Sequence, residues 1–148
     1  MATRSRIALK LNETECLSIY CHWDGYISNQ GPILVKHYTT EEKVRTLMEL
    51  GDLSFLGEEL GEKHDFDRGH NEHPRWCLAY GRDRGEDNTQ ARQDRIDSLL
   101  GNGIEYVYLF DPSACSWSVS CDDHVPFQPL AEHPDLWKGQ TGSPTEGE

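Results

Sequence analysis

Histidine and cysteine residues gather in the middle of the chain at spacings that could serve a metal ion. His64, His70, His73 and Cys77 fall within fourteen residues of one another. Zinc in structural sites is held tetrahedrally by nitrogen and sulfur atoms, commonly with a pair of ligands from each of two segments. We therefore expect a second segment to complete any zinc site formed by this cluster.

The adjacent Cys21 and His22 are the candidates for the second segment. Neighbouring side chains of an extended strand point to opposite faces, so one of the two is the better ligand unless the backbone bends at the turn that follows. The predicted ligands are Cys21, His22, His64 and Cys77, and the predicted cofactor is a structural zinc ion that ties residues 57–76 to the first hairpin. The chain has no Cys-x-x-Cys pair, and scattered surface histidines with small buried cysteines explain the same residues.

Carboxylates offer a different chemistry. Asp24, Glu62, Asp65 and Asp67 could flank a divalent cation, as in metal-dependent hydrolases and nucleases, with the region 64–77 as the reacting centre. Carboxylates in a charged loop are more often a solvated surface. A glycine-rich phosphate loop, a nucleophile elbow and an HExxH motif are all missing from the sequence. The sequence therefore favours a protein that is not an enzyme, with the hydrolase or nuclease as the alternative.

The net charge indicates the kind of partner. Asp and Glu number 26 against 14 Lys and Arg, which gives a formal net charge of -12. Such a field repels the phosphates of nucleic acid and favours a basic protein partner. The candidate partner-binding residues are acidic and lie in the middle of the chain: Glu58, Glu59, Glu62, Asp65, Asp67, Asp83, Glu86 and Asp87.

Alternation of apolar and polar residues predicts the strands that must position these side chains. A short polar turn joins residues 7–11 to residues 17–23, and another joins residues 104–110 to residues 114–121, so each of these two pairs is typical of a hairpin. The predicted strands are residues 7–11, 17–23, 76–80, 104–110 and 114–121.

Helical signals are fewer. Residues 41–50 have a capping-box spacing at Thr39 and Glu42, a helical apolar period and Gly51 as the terminator. Shorter helices are predicted after Pro32 and near residue 96, and residues 57–75 are predicted to be a long surface loop. The resulting prediction is an α+β fold, in which an antiparallel sheet of about five strands carries two to three helices on one face.

The length of 148 residues fits one compact domain. We expect the domain to span residues 1–137 and residues 138–148 to form a mobile acidic tail. The five cysteines are odd in number, and neither an export signal nor a long apolar run is present, which favours reduced thiols, a cytoplasmic location and no membrane partner.

Several motifs resemble those of a family of small uncharacterised bacteriophage and prophage proteins. They are residues 18–26 (SIYCHWDGY), 50–54 (LGDLS), 61–66 (GEKHDF) and 80–86 (YGRDRGE), and the resemblance covers about residues 3–110. It implies a phage-encoded inhibitor of a host defence system, similar to anti-CRISPR proteins. We therefore expect a DNA mimic whose acidic surface binds a basic groove of a host defence protein, such as a CRISPR nuclease, and blocks access to DNA.

A third hypothesis is a small-molecule sponge or a structural phage protein. In the sponge, Trp23, Tyr26, Tyr38 and Trp76 would line a binding pocket. Packing in the core is the competing use of these rings.

Overall fold

The computed structural model describes residues 3–99, 103–121, 127–134 and 136. The predicted tail, residues 138–148, lies outside this part of the chain. The strands are β1 (Ser5–Lys10), β2 (Glu15–Cys21), β3 (Leu53–Phe55), β4 (Leu78–Ala79), β5 (Arg92–Arg95), β6 (Tyr106–Asp111), β7 (Ser116–Cys121) and β8 (Gln128–Pro129). The helices are α1 (Ile27–His37), α2 (Glu41–Leu50), α3 (Gly69–Glu72) and α4 (Tyr80–Arg84), with single 3-10 turns at Ile96–Ser98 and Leu130–Glu132.

The α+β class is confirmed, but the sheet is larger than predicted and mixed. Its described strands run in the order β4-β3-β2-β1-β6-β7-β8, and β5 pairs with the first half of β2. The two predicted hairpins are present as β1–β2 and β6–β7. The expected fully antiparallel sheet is wrong, because β1 pairs with β6, and β2 with β3, in parallel. Apolar alternation reports which face a side chain occupies and carries no information on strand direction.

The two long helices cover one face of the sheet. Ile7, Ile19 and Tyr108 lie side by side on the central strands and face this core. Helix α1 adds Leu34 and helix α2 adds Leu47 to the same cluster. The opposite face carries a smaller core that includes Ala8, Cys16, Leu99, Ile104, Val107 and Leu109.

Helix α2 matches its predicted range. Val44, Leu47 and Met48 are buried at helical spacing, and Gly51 follows the last turn with a φ of 83°. The cap is Thr40, whose side chain accepts a hydrogen bond from the Lys43 amide, so the predicted cap at Thr39 is shifted by one residue.

Other predicted elements differ in their bounds. Helix α1 begins at Ile27, before Pro32, which lies inside it. The predicted strand 76–80 is reduced to β4, because Trp76 forms only an isolated bridge with Glu59 and Tyr80 already begins α4. The predicted helix near residue 96 is a single 3-10 turn.

In the part of the chain that the structure describes, the helices are too short or too polar to span a lipid bilayer.

Candidate functional site

The two predicted cysteine ligands are buried and hydrogen-bonded within the protein. Cys21 ends β2 in the main core, and its sulfur accepts a hydrogen bond from Gln30 Nε2 at 3.3 Å. Cys77 lies just before β4, where its sulfur accepts from the Gly57 amide at 3.3 Å and lies 3.3 Å from the Tyr38 hydroxyl. Both sulfur atoms therefore already accept hydrogen bonds within the core.

The two predicted histidine ligands lie in different surroundings. The Nδ1 atom of His22 is 2.6 Å from the Tyr20 hydroxyl, and its ring meets Trp23 edge to face. His64 is held at Asp83, with Nδ1 of the ring 3.4 Å from a carboxylate oxygen. Over the described residues, the His, Cys, Asp and Glu side chains form no group of three or more that could hold a metal ion. Among the described residues, the structure thus does not bring the four predicted ligands together.

The thiols in the core are also held in their protonated form. Burial raises the pKa of Cys21 to about 12 and that of Cys16 to about 11, and it also raises the pKa of Cys77. The thiolate is the form that reacts with electrophiles and binds metals. These three cysteines are consequently structural in the folded protein, whereas Cys115 is exposed.

We expect iodoacetamide at pH 8 to alkylate Cys115 first and to leave Cys16, Cys21 and Cys77 unmodified in the folded protein. Peptide mass spectrometry after a short exposure measures the order. In 6 M guanidinium chloride all five cysteines should react at similar rates, which controls for local sequence effects. Labelling of Cys21 or Cys77 as fast as Cys115 under native conditions would contradict their burial.

Asp83 is the centre of a polar cluster that organises the loop before it. Its side chain is fully buried and accepts hydrogen bonds from the Ala79 amide at 2.8 Å and the His64 amide at 3.1 Å. The Arg82 guanidinium donates to the same carboxylate through Nε at 2.9 Å and Nη2 at 3.1 Å. Asp83 was predicted to contact a partner, but its burial removes it from the accessible surface.

Arg82 extends this cluster to both ends of the loop. Its Nη1 donates to the Leu60 carbonyl at 2.7 Å, and its Nη2 donates to the Cys77 carbonyl at 2.9 Å. Because the guanidinium also pairs with Asp83, one side chain fixes α4 against residues on either side of the loop 61–76. Charge-assisted hydrogen bonds of this kind are stronger than neutral ones.

The loop packs around Trp76. The His73 ring stacks on Trp76 with 3.9 Å between the ring centroids, and His64 meets the same indole at 5.3 Å. Gly61 has a φ of 71°, and a Cβ atom there would lie 2.5 Å from the indole. The segment therefore packs around its own small aromatic cluster, and it includes the short helix α3.

Part of the predicted acidic surface is neutralised by arginines. Arg75 Nε lies 2.9 Å from a Glu58 carboxylate oxygen, and another nitrogen of Arg75 lies 3.8 Å from Glu59. Glu86 pairs with Arg84 at 2.8 Å. These three carboxylates present little net charge to a partner.

The other predicted contact residues form no close ion pair in the described part of the chain. Glu62, Asp65 and Asp67 are exposed, and among the described residues no Lys, Arg or His side-chain nitrogen lies within 4.0 Å of their carboxylates. We call these three residues the acidic loop. Asp87, just beyond α4, is exposed and unpaired by the same criterion.

Phe66 fixes the acidic loop to α4. Its ring lies 5.5 Å from the Tyr80 ring and 5.1 Å from the Arg84 guanidinium carbon. Within the loop, the Asp65 carboxylate accepts a hydrogen bond from the Asp67 amide at 2.9 Å. The negative charges are thus displayed from a defined backbone.

Comparison of the chain with protein-family models, with curated proteins and with solved structures finds no match. The resemblance to phage proteins therefore stays a prediction.

Proposed function

We propose that this protein is a non-enzymatic inhibitor that binds the basic, nucleic-acid-binding groove of another protein. The observation that carries the proposal is the acidic loop, in which three exposed carboxylates form no ion pair within 4.0 Å with a described side chain. A surface of this kind competes with nucleic acid because it offers negative charge to the same groove. The phage-like motifs point to a defence nuclease in the cytoplasm of a bacterial host as the partner.

The support beneath the loop strengthens the proposal. Arg82 and Asp83 tie the loop to α4, and Phe66 packs against Tyr80. A surface that is ordered before binding loses less conformational entropy on association than a flexible tail does. The carboxylates of the acidic loop are therefore arranged for docking before the partner arrives.

The net charge of the whole chain acts in the same direction. At -12, the long-range field attracts a basic groove and accelerates encounter. Salt screens such an attraction over a Debye length of about 8–10 Å at physiological ionic strength. Binding should consequently weaken steeply as salt is added.

The rival functions receive less support from the arrangement of residues. Over the described residues, Asp24, Glu62, Asp65 and Asp67, which were grouped for hydrolysis, form no group of three or more that could hold a metal ion. Of the four rings suggested for a small-molecule pocket, Tyr38 is buried in the core and Trp76 is stacked on His73, so these two already pack within the protein.

A cleavage assay tests the proposal. A panel of purified CRISPR nucleases loaded with guide RNA is incubated with the protein before or after target DNA is added. We expect inhibition of at least one nuclease when the protein is added first, and little inhibition when DNA already fills the groove. The proposal fails if no nuclease is inhibited at low salt, or if inhibition is equally strong after DNA has bound.

A further inference from the structure

A second feature combines an exposed tryptophan with a carboxylate. Trp23 is 42% exposed, although tryptophan side chains usually pack against the protein. It borders a cavity of about 260 Å³. The lining residues are Trp23, Asp24, Ser54, Phe55 and Leu78.

The backbone holds these two side chains in place. The Trp23 amide donates to the Ser54 carbonyl at 3.0 Å, which extends the pairing of β2 with β3 to the cavity. Asp24 has a φ of 57°, in the left-handed region that only a few residue types adopt readily. Its carbonyl accepts a hydrogen bond from Asn29 Nδ2 at 2.8 Å.

Gly25 fixes the other side of the turn. Its amide donates to the Thr3 carbonyl at 2.9 Å, and a Cβ atom at this position would lie 2.7 Å from the Ser5 Cβ. The turn is thus pinned on both sides of Asp24.

The residues that line the cavity favour a cationic side chain with an aliphatic portion. Among the described residues, no Lys, Arg or His side-chain nitrogen lies within 4.0 Å of the Asp24 carboxylate. The face of a tryptophan ring such as that of Trp23 attracts cations. A guanidinium group can stack on such a ring and can also form a bidentate ion pair with a carboxylate. Phe55 and Leu78 offer apolar contact for methylene groups.

We infer that this cavity binds an arginine side chain of the basic partner protein. The inference rests on the proposed function for the identity of the partner, whereas the chemistry of the cavity is independent of it. The acidic chain is complementary in charge to a basic groove, and arginine is one of the residues that make such a groove basic. Arginine and tryptophan are both enriched among the residues that contribute most of the binding energy at protein interfaces.

The test is a titration followed by the indole N–H resonance of Trp23 in ¹H–¹⁵N spectra, assigned with Trp23→Phe. The probes are Nα-acetyl-arginine amide and its neutral isostere Nα-acetyl-citrulline amide. We expect the arginine compound to shift this resonance in a saturable way at millimolar concentration. The citrulline compound should bind at least tenfold more weakly, which corresponds to about 1.4 kcal/mol.

Two variants test the role of the carboxylate. Asp24→Asn should reduce the affinity for the arginine compound to that for citrulline, and asparagine tolerates the left-handed conformation, so the turn should fold. Glu42→Gln, which removes an exposed carboxylate of α2 outside the cavity, should leave the affinity unchanged. Equal affinity for both compounds, or full affinity in Asp24→Asn, would overturn the inference.

The outcomes separate this inference from the proposed function. Binding of the arginine compound without inhibition of any nuclease would leave the cavity assigned and the proposed function refuted. Inhibition that persists in Asp24→Asn, together with no binding of the arginine compound, would leave the proposed function standing without the cavity.

Discussion

Asp83→Ala is expected to lower the free energy of unfolding by about 3–5 kcal/mol. Removal of one partner of a buried ion pair leaves the other charge buried without a counter-charge. The carboxylate is fully buried and accepts from two backbone amides and from Arg82, whose side chain is 17% exposed. Its loss leaves these donors without an acceptor in a site that excludes most water. Urea denaturation followed by far-UV circular dichroism measures the change.

The matched control is Asp87→Ala. Asp87 is exposed on the same segment and forms no ion pair with a described side chain, so its replacement should change the free energy of unfolding by no more than about 0.5 kcal/mol. A double-mutant cycle with Arg82→Ala should give a coupling energy of about 1 kcal/mol or more, because both variants remove the same contact. A loss below about 1 kcal/mol in Asp83→Ala would contradict the central position of this residue.

The second large effect is expected on inhibition. Neutralising the acidic loop with Glu62→Gln, Asp65→Asn and Asp67→Asn together should raise the concentration for half-maximal inhibition of the responsive nuclease at least tenfold at 50 mM NaCl. The expected cause is slower association, since exposed charges act mainly on the encounter rate. Surface plasmon resonance with the immobilised nuclease separates the association and dissociation rate constants.

A control with the same change in net charge distinguishes a local surface from the general field. Glu42→Gln, Glu49→Gln and Glu132→Gln remove three exposed carboxylates outside the acidic loop. We expect this triple variant to slow association by less than threefold. Equal effects of the two triple variants would show that only the total charge matters.

The parts of the fold with strong local signals could be predicted from the sequence. The buried stripe of Val44, Leu47 and Met48 fixes α2 within the predicted range. Alternation at Ile7 and Ile19 correctly gave the first hairpin and its inner face. Strand direction, and the short strands β3, β5 and β8, depend on pairing between distant segments, which a local pattern does not report.

The candidate site was predictable only in part. The excess of carboxylates and their position in the predicted loop could be read from the sequence. The pairing of Glu58 with Arg75, by contrast, depends on how the loop folds back on itself. The burial of Asp83 has one local signal, the adjacent Arg82, and that signal equally fits an exposed turn. The cavity beside Trp23 had no local signal, because Leu78 reaches it from another strand.

Hydrogen exchange of the acidic loop within a complex tests the central claim most directly. The complex of the protein with the inhibited nuclease is exposed to D₂O with and without target DNA, and exchange is read for peptides covering residues 61–67. We predict that these amides exchange at least tenfold more slowly in the complex and that DNA restores the rate of the free protein. Unchanged exchange of residues 61–67 in a complex that forms, or slowed exchange that persists when DNA fills the groove, would contradict the account.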